Sequence, residues 1–390
     1  MSVVLGMPRP RPGSDRGAAS GEGIRRPVVA LPGERPQVPG LIDRFDRQAT
    51  DLRISLTDRC NLRCTYCMPA EGLPFLPPPA LMSKEEITRL ARIAVTEFGV
   101  RQVRFTGGEP LLRKDLVEIV RSVAQLDPRP EISLTTNAIG LSSRAEALAE
   151  AGLDRINVSL DSIHPDTFAI ITRRPFLDRV LAGIDAVGAA GLVHTKINAV
   201  LMPGINDHQA VELLEWALAG GHELRFIEQM ALDADHSWNR DTMITAAGIR
   251  ALLAERYVLT PDDAPRDGAP AELYQVRERT SASAATGAAS AVGGTEEATG
   301  PALGLVGIIA SVSEPFCSDC RRTRLTAEGA VRSCLFSHTE TDLLGPMRAG
   351  ADDAEVADLW RGAMWAKPAG HLMNEAGFEQ PDRPMSAIGG

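Results

Sequence analysis

The stretch Asp51-Leu-Arg-Ile-Ser-Leu56-Thr-Asp-Arg-Cys60-Asn-Leu-Arg-Cys64-Thr-Tyr-Cys67 joins a short β-rich run to three cysteines spaced C-x3-C-x2-C. A strand that hands a group of thiols to the loop at its C-terminal end sets the pattern for the chain. Further β-rich runs lie at Gln102–Thr106, Glu131–Thr135, Arg155–Leu160, Lys196–Leu201 and Glu223–Glu228. They recur roughly every 25 to 40 residues, the spacing of βα units. Between them stand helical segments. Ser83–Phe98 opens on a capping box, Ser83 with Glu86, and ends before Gly99. Lys114–Gln125, Ser143–Ala151, Leu177–Ala190 and Asp207–Ala219 are further helix candidates. Six βα units imply an α/β fold with six parallel strands, either an open doubly wound sheet or an incomplete barrel. Periodicity does not separate these. Both place ligands at the C-terminal ends of the strands, where the notable residues cluster.

Outside this region the pattern changes. Residues 1–43 are rich in Gly, Pro and Arg without sustained periodicity and are expected to form a disordered extension. The repeating region covers 44–260. Residues 261–390 form the candidate second domain, interrupted at 281–300 by an Ala, Gly, Ser and Thr tract that reads as a disordered insertion. The chain has 390 residues and a formal net charge of -10, which argues against a general affinity for nucleic acid or an anionic membrane. No run approaches the roughly 20 apolar residues of a membrane span, and no secretory signal is evident. The expected location is the cytoplasm. All six cysteines fall into two groups of three, Cys60, Cys64 and Cys67, then Cys317, Cys320 and Cys334. Clustered thiols in such a chain point to metal sites rather than disulfides.

Three cysteines on a [4Fe-4S] cluster leave one iron open for an outside ligand, whereas structural zinc normally takes four protein ligands. A zinc site completed by a distant His is the alternative. The segment Thr106-Gly-Gly-Glu-Pro110 follows the second strand, where two glycines let the backbone approach a ligand and a carboxylate can accept from an ammonium group. Together with the C-x3-C-x2-C loop it resembles the radical S-adenosylmethionine (SAM) superfamily. The resemblance implies an incomplete (βα)6 TIM-type barrel and a first [4Fe-4S] cluster on Cys60, Cys64 and Cys67. SAM is then held by Tyr66, Gly108, Glu109, Ser159 and Met230.

The second group, C-x2-C-x13-C, is a weaker signal that zinc ribbons and redox dithiols share, with His338 as a possible fourth ligand. The set Leu52-Arg-Ile-Ser-Leu-Thr-Asp-Arg-Cys60, Arg104-Phe-Thr-Gly-Gly-Glu-Pro110, Arg155-Ile-Asn-Val-Ser-Leu-Asp161, Leu224-Arg-Phe-Ile-Glu228, Arg322-Thr-Arg324 and Ile388-Gly-Gly390 resembles the GTP 3′,8-cyclase family. That resemblance implies a second [4Fe-4S] cluster on Cys317, Cys320 and Cys334, within a C-terminal iron-sulfur domain. GTP is expected on Arg53, Arg104, Thr135, Lys196, Arg322 and Arg324, with Gly389 and Gly390 taking part in catalysis. It further implies a low-potential electron donor, a homodimer, and a downstream cyclic pyranopterin monophosphate synthase that consumes the product. Ala138 departs from the family, which commonly has glycine there. Two other readings stay open on sequence alone: a radical SAM peptide maturase with an auxiliary cluster, and a zinc-stabilised binding protein without catalysis.

Overall fold

A computed structural model describes residues 35–36, 38–192, 195–279, 300–375 and 377–389. Most of the expected N-terminal extension and nearly all of the 281–300 tract lie outside the described residues. The six expected strands form as β1 (Asp51–Ser55), β2 (Gln102–Thr106), β3 (Glu131–Thr136), β4 (Arg155–Ser159), β5 (Lys196–Val200) and β6 (Glu223–Ile227). All are parallel to their neighbours and stand in the order β1-β2-β3-β4-β5-β6. A doubly wound sheet reverses its strand order at a switch point. This one does not reverse, so the crossovers wind in one direction, as in a barrel.

Six more strands come from the C-terminal region: β7 (Tyr257–Pro261), β8 (Glu272–Glu278), β9 (Gly304–Ile309), β10 (Arg322–Leu325), β11 (Ala330–Arg332) and β12 (Thr341–Asp342). They extend the same sheet at both edges, β9 pairing with β6 and β10 with β1, both parallel. The second cysteine triplet is thereby carried back beside the first strand.

The crossover helices are α1 (Lys84–Phe98), α2 (Leu116–Ala124), α3 (Ala145–Glu150), α4 (Pro165–Thr172), α5 (Leu177–Ala189), α6 (Ala210–Ala219) and α7 (Ala246–Ala254). In α1 the Ser83 hydroxyl accepts from the Glu86 N–H at 3.2 Å, and the Glu86 carboxylate accepts from the Ser83 N–H at 2.7 Å. Such a cap contributes about 1 kcal/mol. Gly99, at φ 69°, ends the helix in the left-handed conformation that glycine adopts without steric strain.

Strand alternation sorts the side chains. Leu52 and Ile54 of β1, Val103 and Phe105 of β2, Ile132 and Leu134 of β3, and Leu224 and Phe226 of β6 are fully buried in one continuous core. The intervening residues Arg53, Arg104, Thr135 and Arg225 point to the opposite face and line an interior cavity. The N-terminal arm packs earlier than its composition suggests. Leu41 and Asp43 are fully buried, and Asp43 accepts from Arg47 Nε at 2.6 Å.

Candidate active site

Parallel register builds the centre of the site. Arg53 of β1 stands opposite Arg104 of β2 on one side and Arg324 of β10 on the other, so three guanidinium groups sit abreast on one sheet face. Arg322, two residues before Arg324, faces the same cavity, which has a volume of about 330 Å³. Burial, then the neighbouring Arg324 and Arg104, holds Arg53 well below the usual arginine range. Burial likewise pushes Arg104 and Arg324 down to about 10. The carboxyl of Asp51, which burial would push up, is instead held below its ordinary range by Arg53, Arg104, Arg322 and Arg324. One carboxylate against four guanidinium groups leaves the wall strongly positive, and Arg53 Nε is buried without a partner among the described residues. Like charges gathered out of water are unfavourable unless an anion compensates them. A polyanion with several oxygens suits the fork geometry of guanidinium.

The loop after β1 presents the first triplet. Cys60 and Cys64 line the cavity, and Cys67 does not. Burial pushes the Cys60 thiol up to about 11 and Cys67 to about 12. It raises Cys64 well above its ordinary value, where the neighbouring Asp161, Cys67 and Cys60 add to the effect. Metal uptake there must displace protons. Among the described residues no three His, Cys, Asp or Glu side chains gather tightly enough to hold a single metal ion. A cluster asks for something else, since each thiolate binds a different iron. Three adjacent thiols, two of them on the wall of a cavity, fit that demand.

The Gly-Gly-Glu loop closes on this triplet. Gly108 N donates to Thr57 O and Glu109 N to Arg59 O, each at 2.7 Å. A methyl group at Gly108 would stand 2.3 Å from Arg59 O, so only glycine fits. The buried Glu109 carboxylate accepts from Leu111 N at 2.9 Å, Thr136 Oγ1 at 2.7 Å and Asn137 N at 2.7 Å, and burial pushes it up to about 7. A carboxylate offers about four acceptor positions, so it can still receive an ammonium group. Gly108, Glu109, Ser159 and Met230 all line the cavity. Tyr66 does not; its hydroxyl donates to Asp161 at 2.8 Å.

Cys317, Cys320 and Cys334 open on the same cavity. Burial pushes Cys317 up. At Cys320 burial also acts upward, but Arg322 and Lys367 outweigh it and leave the thiol at about 6. Arg322 Nη2 and Lys367 Nζ each stand 3.3 Å from its sulfur. A thiolate is the form that ligates iron. His338 does not line the cavity. Thr135 does, whereas Lys196 lies outside it, paired with Glu223 at 3.5 Å. Burial, then Arg225, brings Lys196 down to about 8. The C-terminal segment folds back into the barrel. Ile388 is buried, and Gly389 O accepts from Arg324 Nη1 at 3.0 Å beside Ser55 and Thr106. Gly390 lies outside the described residues.

Several residues that shape the site carry no signal of a role in the sequence. Arg225 lines the cavity with its Nε 2.5 Å from Glu223; its alternation with the core residues Leu224 and Phe226 is the one sequence cue to its direction. Arg47 is a long-range clamp, donating to Cys317 O, Ala369 O and Pro368 O at 2.6 to 2.7 Å. Lys367 and Arg47 have no local sequence signal, because their partners come from distant segments. Glu228 closes a motif without a role of its own in the sequence. It accepts from Ala246 N, Val312 N and Ser313 N, tying the end of β6 to α7 and to the loop after β9.

Residues 54–217 match the model of the Radical SAM superfamily, and residues 222–373 match that of Molybdenum Cofactor Synthesis C. A GTP 3′,8-cyclase of Paenarthrobacter nicotinovorans is 58% identical over 367 residues, covering 92% of this chain and all of that one. The chain belongs to the GTP 3′,8-cyclase family. Another member, from Mycolicibacterium smegmatis, is 57% identical over 90% of this chain and 92% of its own. Among solved structures, Streptococcus suis SuiB shares the fold at a TM-score of 0.53 and 15% identity, over 87% of this chain and 77% of that one. The crystal structure of SuiB bound to S-adenosylmethionine gives a TM-score of 0.52 at 14% identity, over 87% of this chain and 75% of that one. The first matched segment thus runs from within β1 through β5 to α6, and the second begins at β6 and takes in the strands that extend the sheet.

Proposed function

We infer that the chain is a radical SAM enzyme that converts GTP to 3′,8-cyclo-7,8-dihydro-GTP, a lyase reaction that opens molybdenum cofactor biosynthesis. The observation that carries this reading is the single cavity lined by Cys60 and Cys64 of the first triplet and by all three cysteines of the second, with the row Arg104, Arg53 and Arg324 across its wall. Cys60, Cys64 and Cys67 would hold one [4Fe-4S] cluster and Cys317, Cys320 and Cys334 a second. When bound, the first cluster supplies the low-potential electron and the open iron that SAM chemistry requires.

The chain's own residues bind, orient and exclude water. Glu109 accepts from the SAM ammonium, while Gly107 and Gly108 let the loop lie close to the first triplet; Ser159 and Met230 complete that wall. Arg53, Arg104, Arg322 and Arg324, with Arg225, grip the triphosphate, and Thr135 flanks it. This fixes the ribose and base between the two triplets. Joining C3′ to C8 within one molecule is a problem of orientation, so rigid anchoring of the charged end is the main contribution the protein can make. Gly389, held by Arg324, brings the C-terminal tail to the same wall.

A low-potential electron donor, a cyclic pyranopterin monophosphate synthase acting on the product, a homodimer and a cytoplasmic location complete the proposal. Among the described residues no helix is long and apolar enough to cross a membrane.

The test is anaerobic cluster reconstitution followed by incubation with SAM, dithionite and GTP. GTP-dependent formation of both 5′-deoxyadenosine and a cyclised nucleotide is expected. 5′-Deoxyadenosine without nucleotide conversion would remove GTP as the substrate.

A further inference from the structure

The loop that carries the first triplet is collared by arginines. Arg59 and Arg63 lie within it, Arg173 reaches it from the end of α4, and Arg174 follows Arg173. Arg63 Nη1 donates to Cys60 O at 2.8 Å, Arg173 Nη1 to Arg63 O at 3.1 Å and to Met68 O at 2.9 Å, and Arg174 Nη1 to Arg173 O at 2.7 Å. The four are therefore contiguous. Carbonyl contacts explain three of them: Arg173 ties the loop to the end of α4, Arg63 braces the loop on itself, and Arg174 holds the carbonyl of Arg173. They do not explain Arg59, which is exposed and whose only side-chain contact among the described residues is the Phe75 ring, 5.5 Å from its guanidinium carbon.

None of the four is paired with a carboxylate among the described residues; of the acids in the same loop, Asp58 is buried and accepts from Leu76 N, and Glu71 is exposed. Phe75 is 38% exposed, and Ile170, on the last turn of α4, is 61% exposed. A basic rim with exposed apolar side chains is the make-up of a protein docking face. It stands out on a chain whose net charge is -10.

The geometry points to this collar as the docking surface for an acidic one-electron carrier protein. The inference rests on the first triplet holding a redox cluster, as proposed above. Arg59 adjoins Cys60 and Arg63 adjoins Cys64, so a carrier seated here lies one residue from the ligand loop. The exchange is a single electron: the carrier is oxidised by one electron, the cluster is reduced by one, and no bond or proton moves. Redox encounters bury little area and depend on charge for their rate and alignment, so the arginines rather than the apolar pair should dominate.

The experiment measures binding of two probes to the reconstituted protein under anaerobic conditions, acidic flavodoxin and basic cytochrome c, at low and high salt. Flavodoxin should bind the parent, and its affinity should fall about tenfold or more as ionic strength rises and the Debye length shrinks below about 10 Å. The double variant Arg59→Glu/Arg174→Glu should lose about tenfold at low salt, and Arg59→Gln a smaller part of that. Arg101→Glu, a charge reversal before β2 at the opposite end of the strands, should leave binding unchanged. Dithionite-supported SAM cleavage should be equal in the parent and the double variant, which also shows that the variant folds.

The proposal is overturned if flavodoxin binds the double variant as tightly as the parent, if binding ignores salt, or if cytochrome c binds the parent equally well. Absence of SAM cleavage with dithionite in the parent itself would instead overturn the function proposed above, and the binding result would still decide the docking surface.

Discussion

Replacing Gly108 by alanine isolates how closely the Gly-Gly-Glu loop must approach the first triplet. Gly108 does not lie in the left-handed region, so the substitution carries no conformational penalty of its own, and its effect is steric. The new methyl would stand 2.3 Å from Arg59 O, 2.6 Å from Arg59 C and 2.7 Å from Asp58 O, all backbone atoms. The two loops must separate by about 0.7 Å to reach even the shortest tolerated contact. That separation breaks or stretches the 2.7 Å bonds Gly108 N to Thr57 O and Glu109 N to Arg59 O. A buried N–H left without an acceptor costs about 1–3 kcal/mol, so the pair predicts about 3 kcal/mol of destabilisation. Because Arg59 adjoins Cys60, the displaced carbonyl also drags the first cysteine, and bound iron should fall. The control is Gly140→Ala, where φ is 91° but no atom lies within 4 Å of the added methyl. Backbone strain alone predicts about 1 kcal/mol there, with iron content unchanged. Urea denaturation followed by circular dichroism, with iron measured on the same samples, decides. If Gly108→Ala is no worse than Gly140→Ala and keeps its iron, close packing of the two loops is not what fixes the site.

Glu228→Gln should destabilise by about 2–4 kcal/mol, since an amide NH2 would face N–H donors that now point at a carboxylate; an unchanged denaturation midpoint would refute that account. Arg47→Ala removes the clamp on Cys317, Pro368 and Ala369 and strands the buried Asp43 charge. It should cost about 3–5 kcal/mol and lower iron after reconstitution by about half, through the second triplet. Lys196 stands outside the cavity but within the field of Arg225, which lines it, so a bound nucleotide should sense its charge and affinity should depend on pH through Lys196, held at about 8 by burial and Arg225 against the pull of Glu223. An anion favours the charged form, so affinity is level below pH 8 and weakens as pH rises through it. Lys196→Arg should flatten this slope, because guanidinium stays charged; an unaltered profile would place Lys196 outside the nucleotide's reach.

Local chemistry made much of this fold legible. The six parallel strands, helix α1 with its Ser83–Glu86 box and Gly99 stop, and the cysteine spacings all follow from short-range rules of propensity, capping and loop length. Helix α4 escaped because it is short and opens on Pro165 without a side-chain cap. Ala138, where the family commonly has glycine, holds φ at 61°. The backbone therefore keeps the left-handed turn without the residue best suited to it, at about 1 kcal/mol of strain. The order of the strands, which tells barrel from doubly wound sheet, is a non-local property and periodicity did not contain it.

The site divides along the same line. Sequence by itself determined which residues could carry the chemistry, the two cysteine triplets, the Gly-Gly-Glu loop and the Arg-x-Arg pair, because each is a short motif with its own geometry. Tertiary structure alone decided that Arg324 stands beside Arg53 and Arg104, that cysteines of both triplets line one cavity, and that Lys196 and Tyr66 sit outside it. It also recruited Arg47, Lys367 and Glu228, whose partners lie up to 322 residues away. The physical reason is that a parallel ladder aligns residues by register between strands distant in sequence. A buried cation or carboxylate, in turn, is tolerated only where the completed fold brings it acceptors, donors or a ligand that no nearby sequence can supply.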